Sequence, residues 1–173
     1  MQRLGDMAAP RDEAEDETPR NPLSPAERLL FAALRGWAGL RAAGRRPHDE
    51  IAPLLTQKAS ARSSALLVAW IHAIEAACRG PLRIECPGCG GASADAQRLI
   101  VACGVSPVAA DMAHALLSPL LSDTQLVVQM GRRLNASLAA DGWPLPVRLS
   151  DPQPVATAMP QAFSADHRWT RVS

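Results

Sequence analysis

Between Ser64 and Arg79 the apolar side chains return every three or four residues: Leu67, Ile71, Ile74 and Cys78 make one stripe, widened by Leu66 and Trp70. That spacing is the period of an α-helix with one buried face, and a strand cannot accommodate it. Val68, His72, Glu75 and Arg79 fall on the other side, and Gly80-Pro81 stops the pattern.

The same grammar recurs along the chain. Ser24-Pro25-Ala26-Glu27 has the form of a capping box with proline at the first helical position. Leu30, Leu34, Trp37 and Arg41 follow at helical spacing, with Leu29, Ala33, Gly36 and Leu40 beside them, until Gly44 and Pro47 end the segment. A shorter helix is expected from Asp49 to Lys58, its first part limited by Pro53. Ser93 caps a helix running to Cys103, with Ala96, Leu99, Ile100 and Cys103 inward and Gly104 as terminator. Ser106-Pro107 opens the next, which shows Ala109, Met112, Ala113, Leu116, Leu117 and Leu120. Asp123 caps the last, with Leu126, Val127, Met130, Leu134 and Leu138 inward and Gly142 as its end. Leu82-Arg83-Ile84-Glu85 alternates as a strand would, but so short a piece without a partner is an extended connector. The expected fold is all-α: a small antiparallel bundle of five or six helices over residues 22–142, behind a disordered acidic leader (1–21) and ahead of a Pro-rich irregular tail (143–173).

A chain of 173 residues suffices for one domain with tails. Hydrophobic residues make up 47%, but aromatics only 3%. Much of the apolar content is alanine, so the core must rest on leucine, isoleucine, valine and a few tryptophans. The first 20 residues hold six acids against three arginines; the rest holds 15 basic and 11 acidic groups, a net of +4. An overall charge of +1 argues against naked nucleic acid as the partner. The leader contains no apolar run, and no later stretch is apolar over the length that a membrane span needs. These features predict a cytoplasmic protein with reduced cysteines and no membrane partner.

The most chemically pointed stretch is Ile84-Glu85-Cys86-Pro87-Gly88-Cys89-Gly90-Gly91. Two residues between thiols let both sulfurs reach one zinc ion, and the following glycine eases the turn. A structural site needs four ligands. Cys78 and Cys103 each end a helix that brackets the turn, whereas His72 and His114 face away from the apolar stripes. The candidate metal site is therefore a zinc tetrathiolate of Cys78, Cys86, Cys89 and Cys103. Two readings compete with it. Cys78 and Cys103 sit on apolar faces, where a free cysteine behaves as a small hydrophobe. Cys86 and Cys89 also suit a redox dithiol, with Cys86 attacking and Cys89 resolving, although Gly90-Gly91 separates the pair from the next helix and the βαβ setting of thioredoxin-like folds is missing.

Other constellations are thinner. Gly104-Val105-Ser106 between two helices is similar to the turn of a helix-turn-helix over residues 96–117, but Ser106 to Leu120 contains no Arg or Lys to meet bases or phosphates. Arg41, Arg45 and Arg46 suit a helix C-terminus, and with Arg132-Arg133 they could hold an acidic partner or a phosphate, although a solvated face accounts for them more simply. His48-Asp49-Glu50 reads as a cap, and His72 with Glu75 as a weak pair one turn apart on a polar face. Gly88, Gly90 and Gly91 lack the lysine of a phosphate loop. The expectation is a non-enzymatic helical protein that binds another protein, with Trp143 and Trp169 as anchors and zinc as the cofactor of the cysteine turn. The alternatives are a thiol redox protein or sensor and a transcription regulator.

Overall fold

The capping box forms as its residues dictate. Ser24 Oγ accepts the Glu27 amide at 3.2 Å, and Glu27 Oε2 accepts the Ser24 amide at 2.7 Å, with Pro25 at the first helical position. This starts α1, Pro25–Ala42, which closes at Gly44 with φ +69°. The computed structural model describes residues 23–84 and 92–148, the side chains of Asp49, Pro53, Leu54 and Leu55 excepted. Among the described residues five more helices follow: α2 Pro47–Thr56, α3 Ala61–Ala77, α4 Ala94–Val105, α5 Ala110–Leu117 and α6 Gln125–Ala140. Among the described residues there is no strand, and Cys78 and Leu121 form an isolated antiparallel bridge, so the chain is an all-α bundle. None of the described helices is long and apolar enough to cross a membrane. The acidic leader lies outside the described residues, as does the tail beyond Arg148.

Leu67, Ile71 and Ile74 are buried as their spacing requires, but so is Val68 on the side expected to be polar. The reason is that α3 is covered on more than one face. It packs most extensively on α6 and also meets α2, while α1 packs on α2 and α4, and α4 on α5 and α6. Two groups of three helices result, α1–α3 and α4–α6, sharing one continuous core that seats Trp37 and Trp70 almost without exposure. Each such large side chain contributes roughly 2–3 kcal/mol of apolar burial.

Boundaries depart from the sequence reading where local hydrogen bonds decide them. α3 begins three residues earlier than Ser64, because Ser60 Oγ accepts the Ser63 amide at 3.2 Å and supplies the cap. Gly104 does not end α4: it lies inside the helix, which runs to Val105. Ser106-Pro107 does not open α5; the Ser106 hydroxyl donates back to the Cys103 carbonyl at 2.9 Å, closing α4 instead. Asp123 stands one residue before the Thr124 cap position, its Oδ1 accepting the Gln125 amide at 2.8 Å. Leu82 and Ile84 are buried while Arg83 between them is exposed, an extended connector with its apolar side in the core.

Candidate functional site

The end of α3 is stitched to the loop between α5 and α6. Besides the Cys78–Leu121 bridge, the Arg79 amide donates to Leu120 O at 3.0 Å, the Ser122 amide to Ala77 O at 2.7 Å, and Arg79 Nε to Leu121 O at 2.8 Å. Cys78 is buried within this seam. Cys103, in the last turn of α4, is also buried, and its thiol donates to Gly131 O of α6 at 3.5 Å. Burial pushes that thiol up to about 12, so it stays protonated. A Cβ built on Gly131 would lie 3.4 Å from Trp70 Nε1 and 3.6 Å from Cys103 Sγ. Cys103 therefore sits at the level of Trp70, whereas Cys78 is about 12 Å further along α3 at the rise of an ideal helix. Cys86 and Cys89, the other two residues of the candidate zinc site, lie outside the described residues, as does Trp169. Among the described residues, no group of three or more His, Cys, Asp or Glu side chains is placed to hold a metal ion.

A polar network missed by the sequence reading ties α1 to α3. Glu75 lies on the supposed polar side of α3, and α1 covers that side. Trp37 Nε1 donates to Glu75 Oε1 at 2.8 Å, while Arg41 clamps both carboxylate oxygens, Nε to Oε1 at 2.9 Å and Nη2 to Oε2 at 3.1 Å. His72 Nδ1 stands 3.3 Å from Oε2, its ring edge-on to Trp37 at 5.0 Å, and the His48 ring is 6.4 Å beyond. The arginine also lies over the Trp37 ring at 5.8 Å. One signal was available: Arg41 shares the apolar stripe of Leu30, Leu34 and Trp37, and a cation on a buried stripe calls for a buried anion.

The second constellation lies at the other end of α1. After α6, Gly142 takes φ +82° and the Trp143 amide donates to Leu138 O at 2.8 Å. The chain from Trp143 to Arg148, irregular as expected, crosses the end of α4 and reaches the start of α1. Leu145 is buried, Trp143 and Arg148 are half-buried, and Pro144 and Val147 face outward. Arg148 grips the Glu27 carboxylate with two hydrogen bonds, Nε to Oε1 at 2.5 Å and Nη2 to Oε2 at 2.7 Å. Glu27 has only 3% of its side chain exposed and Arg148 20%, so a buried carboxylate meets a half-buried guanidinium from 121 positions away. Burial raises the Glu27 carboxyl, but the hydrogen bonds from Arg148 and Ser24 outweigh it and hold the group below its ordinary value of 4.5.

Gly104 makes this crossing physically open. A Cβ there would meet Pro146 O at 2.7 Å, closer than a methyl group can approach a carbonyl. The strap, the end of α4 and the cap of α1 thus meet in one packed junction: a buried leucine, a prolyl carbonyl against bare helix, and a forked guanidinium on a capping carboxylate. No family model, curated protein or solved structure matches this chain.

Proposed function

We propose that this is a non-enzymatic helical interaction protein whose bundle surface accepts an extended segment of another protein. The observation that supports it is the seating of residues 143–148, in which Leu145 and Arg148 engage receptors prepared by α4 and α1. A surface that takes one extended segment side chain by side chain has the properties of a peptide receptor. Trp143 stands half-buried at its rim, where an aromatic anchor would serve. A zinc clip at the Cys86–Cys89 turn belongs to the same proposal as a structural element rather than as chemistry. The test is photo-crosslinking from a benzoylphenylalanine at Val147 of the full chain in its native cells. One stoichiometric partner, held again after purification of both proteins, is the expected result. Crosslinks scattered over many proteins without reconstitution, or turnover of a small molecule by the purified chain, would sink the reading.

A further inference from the structure

Resting on that reading, the receptor and its ligand class can be named more closely. The seat is built independently of the strap that fills it. Gly104 is in ordinary helical backbone, so glycine is not needed there for conformation; what it provides is access for a carbonyl at 2.7 Å from a would-be Cβ. Glu27 is fixed from its own helix end, Oε2 accepting the Ser24 amide at 2.7 Å, and it offers its oxygens as a fork to a guanidinium. Without Arg148 that carboxylate would lose the cation it is seen to hold, and the guanidinium of another arginine-bearing segment could take its place.

The strap is in turn suited to leave. Pro144 and Pro146 restrict it to extended backbone, so its leucine and arginine are presented three residues apart at little entropic cost. Gly142, in the left-handed region at φ +82°, gives it a pivot at the end of α6. We propose that the seat between the start of α1 and the end of α4 recognises an extended Leu-Pro-x-Arg segment of a partner protein, and that residues 145–148 occupy it in cis as a built-in competitor. Tethering gives the strap a high effective concentration, so an external segment binds strongly only when the strap is weakened or the partner adds further contacts.

The experiment uses the full chain and a fluorescent hexapeptide, Trp-Pro-Leu-Pro-Val-Arg, followed by anisotropy. Arg148→Ala weakens the strap and leaves the seat intact. Gly104→Ala both displaces the strap and blocks the seat. The peptide is expected to bind the Arg148→Ala chain at least ~10-fold more tightly than the unaltered chain, since the tethered competitor is disabled. Replacing the peptide's arginine by alanine should cancel that gain, and the Gly104→Ala chain should not bind. Circular dichroism establishes that each variant is folded, and Leu145→Ala, which leaves Glu27 paired, substitutes for Arg148→Ala if the latter is not. A folded strap-weakened chain that binds no better than the Gly104→Ala chain overturns the proposal. Dimerisation of the unaltered chain with rising concentration, alongside no peptide binding, overturns it in favour of exchange between copies. A native partner that still crosslinks to folded Gly104→Ala sinks the seat while leaving the interaction reading in place.

Discussion

Two buried glycines separate the ways in which one residue type constrains this fold. Gly131, in the middle of α6, faces Cys103 and Trp70 at ordinary contact distances of 3.4–3.6 Å for an added Cβ. Helix interiors favour alanine over glycine, so Gly131→Ala should gain up to about 1 kcal/mol, read as a higher Tm; a loss of similar size would show that this contact is tighter than it looks. Gly104 meets backbone rather than a movable side chain, and its alanine variant should lose the strap despite the same gain in helix propensity. Cys103 gives a second residue-scale prediction. With its thiol buried and pushed up to about 12, iodoacetamide at pH near 8 should leave it unmodified in the native chain and label it after denaturation, as peptide mass spectrometry would show. The inward position of Cys103 was legible from helical spacing. The reason for Gly104 was not, because the atom that requires it, Pro146 O, arrives from a distant segment with no periodicity to read.

At the scale of elements, the bundle is tied by two carboxylates, each bridging α1 to something remote. The Glu75 network couples α1 to α3 through both Trp37 and Arg41. Trp37→Phe and Glu75→Ala should each destabilise, and a double-mutant cycle should return a coupling of roughly 1.5 kcal/mol, as expected for a hydrogen bond to a charged group. Additive losses would mean that the indole and the carboxylate do not interact. The Glu27–Arg148 pair ties the strap, and its pH dependence has a definite sign. The folded carboxyl titrates below its unfolded value, so the pair's contribution is full above pH 4.5 and is lost as pH falls through the folded pKa. Removing one partner of a buried pair costs about 3 kcal/mol, the expected loss for Arg148→Ala at neutral pH. In that variant burial acts on Glu27 without the arginine, which raises the folded pKa. The Ser24 hydrogen bonds still lower it, so the loss of stability toward acid shrinks in that variant. Urea melts of both chains between pH 3 and 7 check it, and parallel pH profiles would rule it out. Glu27 was readable as a capping residue, and its second role was not, since nothing local in Arg148 marks it as anything but a tail residue.

For the whole molecule, the question is what Cys86 and Cys89 would add to a bundle whose described helices already bury one another's apolar faces. The groups α1–α3 and α4–α6 share one continuous core, mainly through α3 against α6, and the seam at Cys78–Leu121 fastens the end of α3 to the loop ahead of α6. In sequence, these two cysteines fall between α3 and α4, on the connection between the two groups. A zinc ion held there would fasten that connection, and its binding energy would add to the stability of the folded chain by mass action. It would not be the source of the helices, whose apolar faces are buried by one another. The zinc proposal therefore predicts about one zinc per chain by elemental mass spectrometry, lost in a Cys86→Ser, Cys89→Ser variant. A chelator should lower the Tm of the unaltered chain while leaving its helical circular dichroism at room temperature intact, and it should leave the variant's Tm unchanged. Equal responses of both chains to the chelator would remove the clip. Complete loss of helix on chelation would instead give the metal a larger part in folding than so continuous a core allows.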